Sequence, residues 1–184
     1  MDLKARQEEL GQLRREKDRF FKESHHSPIP DEERASFTGL EYYPYNPDLV
    51  LEVELQELDE PQNVVMATSV SGEEVLYHRV GYFEFEVSGQ VQRLYAYRSA
   101  HEHETGRPTL FIPFRDATSG KETYGAGRYL EVEVIPSGKY VLDFNLAYNP
   151  YCAYSDLYVC PLPPSENWLK TEIRAGEKSH PGKR

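Results

Sequence analysis

Cysteine is scarce, with two in 184 residues, too few for the disulfide framework that holds small secreted folds together. Cys152 and Cys160 would share a face of one extended strand more than roughly 20 Å apart, beyond disulfide reach unless a sharp turn lies between them. They read as buried free thiols in a reducing compartment, with a nucleophile or a metal ligand as the other roles open to them. Long apolar runs are also missing. None approaches the roughly 20 residues that span a bilayer, and the opening MDLKARQEEL lacks a signal-type apolar stretch, so the cytoplasm is the expected compartment. Positive charge is in deficit, with 21 Lys and Arg against 31 Asp and Glu and a formal charge of -10. That field repels nucleic-acid phosphates and anionic membranes, so neither is an expected partner, and an anionic ligand must meet a local knot of cations. GxSxG, HExxH, a glycine-rich strand-to-helix turn and internal repeats are all absent, which removes several large enzyme classes.

Aromatic residues are plentiful: 14 Tyr and 8 Phe, a bias that suits sheets. The length fits one domain with a sizeable core. Residues 2 to 23 predict a helix docked by Leu3, Leu10, Leu13, Phe20 and Phe21. Pro30 followed by Asp31, Glu32 and Glu33 opens a short helical turn. From Asp48 the period changes to two, and strands are expected at Leu49 to Gln56, Val64 to Thr68, Glu74 to Val80, Tyr82 to Val87, Gln90 to Arg98, Thr109 to Phe114, Tyr129 to Ile135 and Tyr140 to Leu146. About eight hairpin-linked strands point to a mainly β, antiparallel barrel-like or split-barrel domain, with an N-terminal α-helix and a short C-terminal helical turn capped by Ser165. The expected organisation is a helix and connecting loop over 1–30, one β-rich domain over 31–176 and a flexible tail over 177–184.

The segment richest in chemistry is FRDATSGKETYGAGR, Phe114 to Arg128. Arg115 and Arg128 are planar donors, Lys121 is a mobile cation, Thr118 and Ser119 supply hydroxyls, and the glycines admit backbone N–H groups to an anion. The same residues also make an ordinary long turn, and SGK lacks the spacing of a phosphate-binding P-loop. Asp143 and Asn145 flank Phe144 on a strand otherwise built for burial, and a buried carboxylate needs a partner. If Tyr129 to Ile135 pairs with Tyr140 to Leu146 across Pro136 to Lys139, Arg128 falls near residue 147, and loop and polar strand end form one constellation. Tyr148, Tyr151, Tyr154 and Tyr158 either line a pocket or make a small core with satisfied hydroxyls. Asn149 precedes a proline, so its side chain is expected on its own backbone. His101 and His103, with His25 and His26, are a weak start to a metal site without a third spaced ligand.

Taken in order, KDRFFKESHHSPIP, FTGLEYYP, LFIPFRDATSGKETYGAGRYLEVEV, LDFNLAYNPYCAYSDLYVCPLPPSENWL and IRAGEK resemble the family known as domain of unknown function 1684. The resemblance covers nearly the whole chain. It implies a bacterial or archaeal soluble protein of mostly β, barrel-like fold without an agreed substrate, and it brings a hint of phosphatase chemistry. Its blocks hold Arg115, Asp116, Thr118, Tyr124, Arg128, Asp143, Asn145, Asn149 and Cys152, and no inherited role comes with them.

Two function classes follow. In the first, a small phosphorylated molecule, for instance a nucleotide, is hydrolysed in a pocket at one barrel end. Arg115, Arg128 and Lys121 hold the anion, and Asp116 or Asp143 activates water or holds a divalent metal such as Mg2+. In the second, the same cationic pocket captures an anionic metabolite without chemistry. A third reading is a structural protein with a buried ion network and the N-terminal helix as a homodimer contact.

Overall fold

The computed structural model describes residues 1–101 and 108–181; His103 lies outside them. Helices α1 (Leu3–Glu23) and α2 (Asp31–Arg34) lead into strands β1 (Val50–Ala67), β2 (Glu74–Val87), β3 (Gln90–Ser99), β4 (Thr109–Phe114), β5 (Arg128–Glu133) and β6 (Lys139–Asp143). The strands form one antiparallel sheet in the order β5-β4-β3-β2-β1-β6. The β5 edge meets the chain just beyond the β6 edge, where Tyr129 and Tyr148 exchange backbone hydrogen bonds of 2.8 and 3.1 Å, which brings the sheet close to a closed barrel. Alternation supplies the interior: Val53, Phe83, Phe85, Leu94, Ala96, Leu110, Ile112, Phe114, Leu130 and Leu142 all point into one core. Among the described residues no helix is long and apolar enough to cross a membrane.

Six strands form where eight were expected. The segments either side of Glu57 to Gln62 are one long β1, which passes this polar stretch as a register shift, and Val80 continues through a second shift at Arg79/Gly81 into one β2. A bulge lets a strand absorb residues that break alternation without ending its ladder. The β2–β3 turn is the tight one expected, with Ser88 and Gly89 both at positive φ (52° and 76°), the conformation a two-residue hairpin requires.

The expected hairpin between residues 129–135 and 140–146 does not form. β5 finds a ladder with β4 along its whole length, β6 with Val50 to Glu54 of β1, and the turn between them crosses the seam of the barrel. Once Asp143 is reached the chain leaves the strand for a 3-10 turn, Phe144–Leu146, capped by the Asp143 side chain.

β3 and β4 share a single residue pair, Tyr97 with Phe111. The split is filled by Asn167, fully buried, at the end of the 3-10 turn Ser165–Asn167. Its Oδ1 accepts from Tyr95 N at 2.8 Å, and its Nδ2 donates to Tyr95 O at 3.0 Å and Pro113 O at 2.8 Å. Ladder groups that would otherwise be orphaned are thereby satisfied. The expected C-terminal turn is present, although Ser165 is its first residue and makes no side-chain cap.

Helix α1 docks by fewer apolar residues than expected. Leu10 and Phe21 are buried, whereas Leu3, Leu13 and Phe20 are exposed. The docking stripe is Arg6, Leu10, Arg14, Lys17 and Phe21, spaced by four, four, three and four. Arg6 pairs with Asp143 at 3.3 Å, Arg14 donates to Tyr43 O at 2.9 Å, and Lys17 pairs with Glu177. A second apolar cluster under the helix end joins Phe21, Ile29, Phe37, Ala153 and Tyr154.

Candidate functional site

In an antiparallel barrel, the ends of β2, β4 and β6 and the starts of β1, β3 and β5 lie at one mouth, so the Phe114 to Arg128 loop sits there by topology. The C-terminal segment closes over the same mouth: Ala117 N donates to Thr171 O at 2.9 Å, and Ile173 and Ala175 are fully buried in the core.

Within the loop the expected ligand groups are mostly engaged with one another. Asp116 is 5% exposed and Arg128 1%, and they form a buried pair at 3.6 Å. Thr118 Oγ1 lies 2.9 Å from both Asp116 oxygens and 2.9 Å from Thr123 Oγ1. Ser119 Oγ donates to Asp116 at 3.3 Å and accepts from the Asp116 N–H at 3.1 Å. Ile173 N donates to Asp116 Oδ2 at 2.6 Å. The Arg128 guanidinium donates to the carbonyls of Ile173, Ala175 and Glu177. Burial pushes its pKa down, and the charge of Asp116 opposes that shift. Gly127 makes this crossing feasible: at φ 109° a Cβ there would meet Phe114 O at 2.5 Å, so the close approach requires glycine.

Arg115 is half-buried, with its guanidinium 4.6 Å from the Trp168 ring centroid. Lys121 is exposed. Tyr124 turns the other way, and its hydroxyl lies 3.8 Å from Cys152 Sγ. The cysteines do not share one extended strand: the 3-10 turn Tyr151–Ala153 and the edge-on contact of Tyr151 with Tyr158 turn the chain between them, and both are buried and free.

Asp143 and Asn145 do not join the loop. Asp143 is held by Arg6 and by Asn145, whose N and Nδ2 donate to it at 3.0 and 2.9 Å. Asn145 also clamps Asn46, accepting from its N–H at 2.8 Å and donating to its carbonyl at 2.9 Å. The proposed meeting of Arg115, Arg128, Asp143 and Asn145 therefore fails, because it rested on a β5–β6 ladder and because Asp143 finds its cation on α1. Asn149 serves neither its own backbone nor an open pocket: its N–H donates to Glu177 Oε1 at 2.9 Å, its Nδ2 to Tyr154 OH at 3.2 Å and to Lys178 O at 3.0 Å.

Glu177, 3% exposed, is the residue that sequence reasoning left in a flexible tail. It binds Lys17, Asn149 N and Tyr154 OH, and His180 stacks edge-on against Tyr154, so order extends past the expected boundary at 177. A legible signal existed in the cations of α1, which recur with Leu10 and Phe21 at helical spacing and call for a buried acid. Four tyrosines follow the packing alternative: Tyr154 and Tyr151 enter the second apolar cluster, Tyr158 stacks on Tyr151 at 5.2 Å and Tyr148 on Tyr129 at 5.7 Å. His101, His25 and His26 are exposed, and no three His, Cys, Asp or Glu side chains among the described residues are placed to hold a metal.

Two of the open spaces among the described residues adjoin these groups. Beneath α1 a cavity of about 120 Å³ is bounded by Arg14, Lys17, Tyr42, Asn145 and Glu177 over an apolar floor. At the mouth a cleft of about 660 Å³ runs between Asn46, Asp48 and Leu49, the β2–β3 turn at Glu86 to Gln90, and Lys170, Thr171, Glu172 and Arg174. Arg174 links the cleft to the loop through Glu122 at 3.3 Å.

A search of the curated proteins returned no match. The solution structure of an uncharacterized protein from Haloarcula marismortui is 40% identical, matches over 97% of each chain and superposes with a TM-score of 0.73. Residues 35–178 match the family described as protein of unknown function (DUF1684). Those residues hold the loop, the Asn167 wedge, the two cysteines and the Glu177 anchor, and on that match the chain belongs to the DUF1684 family.

Proposed function

We propose that the chain is a non-catalytic binding module for a small metabolite, with the cleft at the barrel mouth as its site. The observation that carries this reading is the 660 Å³ cleft, which falls within the roughly 300–1,000 Å³ of small-molecule pockets and brings together Lys170, Arg174, Thr171, Ser88, Gln90 and Asn46. The lining also holds Asp48, Glu86 and Glu172. Two cations among three acids suit a ligand that carries both a carboxylate and its own donors, such as an amino acid or a hydroxy acid, better than a polyphosphate.

Hydrolysis of a phosphate ester, expected first, has less support. A general base needs a free lone pair within reach of its water. Asp116 is enclosed by Thr118, Ile173 and Arg128, and Asp143 by Arg6 and Asn145; neither lines the cleft.

Thermal-shift titrations with amino acids, hydroxy acids, sugar phosphates and nucleotides, each with and without Mg2+, test both readings. A ligand bound at 100 times its Kd stabilises by ~2.7 kcal/mol. Lys170→Glu and Arg174→Glu should abolish that shift while leaving the unliganded melt near wild type, because both side chains are exposed. No saturable shift from any of these ligands refutes the binding module. Phosphate release that is lost in Asp116→Asn or Asp143→Asn variants of wild-type fold would restore the hydrolase.

A further inference from the structure

In a chain with 31 acids against 21 cations, a half-buried arginine is expected to find acceptors, because a desolvated charge needs them. Arg6, Arg34, Arg79 and Arg128 each pair with a carboxylate, and Arg14 donates to carbonyls. Arg115 differs. Among the described residues its half-buried guanidinium has neither a hydrogen bond nor an ion pair, and it stacks instead with its carbon 4.6 Å from the Trp168 ring centroid. The acids closest to this pair in sequence are committed elsewhere: Asp116 to Thr118, Ile173 and Arg128, and Glu166 to Tyr97 and Arg79.

The stack is built on a fixed frame. Arg115 N donates to Asn167 O at 3.1 Å and Leu169 N donates to Arg115 O at 2.7 Å, so the two backbones run side by side at Trp168, anchored by the buried Asn167. Trp168 Nε1 donates to Pro163 O at 2.9 Å, which sets the indole while the residue stays 50% exposed. A Cβ on Gly127 would lie 3.0 Å from Arg115 Cγ and 2.9 Å from Pro163 Cγ, so the stem of the arginine is packed and only its N–H edge is unused.

We propose that the Arg115–Trp168 stack is a binding platform for an organic carboxylate that carries an apolar or aromatic group beside its acid. Stacking occupies a face of the guanidinium and leaves its N–H donors in the plane, the geometry that takes both carboxylate oxygens at once. No protein acceptor has to be displaced first. The exposed indole shelters the apolar part of the ligand, and excluding water there strengthens the ion pair. A polyphosphate fits less well, since one guanidinium in a chain of net charge -10 offsets little of its charge. Neither Arg115 nor Trp168 lines the mouth cleft, so the platform is a second site and stands independently of the first.

Trp168 is the single tryptophan, and its fluorescence, excited beyond the absorption of the tyrosines, reads this site directly. Titration of the full chain with hydrocinnamate at constant ionic strength should give a saturable emission change, because a carboxylate on Arg115 neutralises the charge stacked on the indole. Propionate, which keeps the acid, and hydrocinnamyl alcohol, which keeps the ring, should each bind about tenfold or more weakly. By calorimetry, Arg115→Lys should lose about tenfold or more in affinity for hydrocinnamate, since an ammonium keeps the charge without the fork. A wild-type chain that gives no saturable change with hydrocinnamate, or responds equally to the alcohol or to inorganic phosphate, overturns the proposal without reliance on any variant. Wild-type affinity in a folded Arg115→Lys chain overturns the role of the guanidinium.

Discussion

Replacing Arg128 by lysine isolates what the loop does. The guanidinium is buried, pairs with Asp116 at 3.6 Å and donates from its two terminal nitrogens to the carbonyls of Ile173, Ala175 and Glu177. Lysine preserves the charge facing Asp116 but offers one ammonium in place of a planar fork, and it cannot serve three carbonyls spread along the C-terminal segment. At least one buried carbonyl then loses its donor, at about 1–3 kcal/mol per group, and the central expectation is a loss of about 3 kcal/mol. Against a total stability of about 5–15 kcal/mol that is a large fraction, and at about 2–4 °C per kcal/mol the melt should fall by about 6–12 °C. Arg128→Met also strips Asp116 of its cation and should cost more, about 3–5 kcal/mol. Urea unfolding gives the energies. Limited trypsin digestion at Arg174 and Lys178 reports where the loss is felt, since local opening of the 171–178 segment exposes these sites. A lysine variant within about 1 kcal/mol of wild type, with unchanged cleavage, would refute the view of the loop as an anchor.

Three further outcomes follow from the same geometry. Asn167→Ala removes the donors and acceptor that fill the β3–β4 split and should cost about 2–4 kcal/mol, with faster amide exchange at Tyr95; wild-type protection there would contradict the wedge role. Gly127→Ala places a Cβ 2.5 Å from Phe114 O at φ 109°, and a penalty of about 1–3 kcal/mol or more is expected; an unchanged melt would mean the loop does not cross there. For the reduced thiols, Cys160 is depressed in the fold, so its stabilising contribution is full above the unfolded thiol pKa of about 8.5 and is lost as pH falls through its lower folded value. The raised Cys152 acts in the opposite sense, losing stability only as pH rises past that unfolded value. Cys152, Tyr124 and Tyr129 are the titratable groups around it. From about pH 7 to about 8.5 the reduced wild type should therefore gain melting temperature relative to Cys160→Ser; parallel curves would remove this assignment.

The barrel was legible because its signals are local. Phe83 to Val87 alternates cleanly, Thr109 to Phe114 is an apolar run of strand length, and Ser88-Gly89 specifies its turn without reference to anything distant. The strand count and the seam were not legible for the opposite reason. Whether Glu57 to Gln62 ends a strand or bulges within one depends on β2 opposite it, and whether β6 pairs with β5 or β1 depends on which neighbour offers the longer ladder. A short turn such as Pro136 to Lys139 reports chain reversal and says nothing about which strands lie across the reversal.

The site divides along the same line. Arg115, Asp116, Thr118, Ser119 and Arg128 were found together because they are neighbours in sequence, but residue type alone does not distinguish an anion-binding loop from a buried lock. The difference lies in Ile173, Ala175 and Glu177, which bring carbonyls to Arg128 and an N–H to Asp116 from some fifty residues away. In a chain of net charge -10, a buried arginine with a carboxylate and three carbonyls already in place has little left to offer an anion from solvent. The cations that line the cleft at the same mouth are Lys170 and Arg174, the first just upstream of the segment that Arg128 secures and the second within it. A ligand in the cleft would therefore bear on a segment held by Arg128, and Arg128→Lys should weaken ligand affinity as well as stability although Arg128 does not line the cleft. An Arg128→Lys variant that melts early yet keeps wild-type affinity at low temperature would separate the two and leave the anchor purely structural.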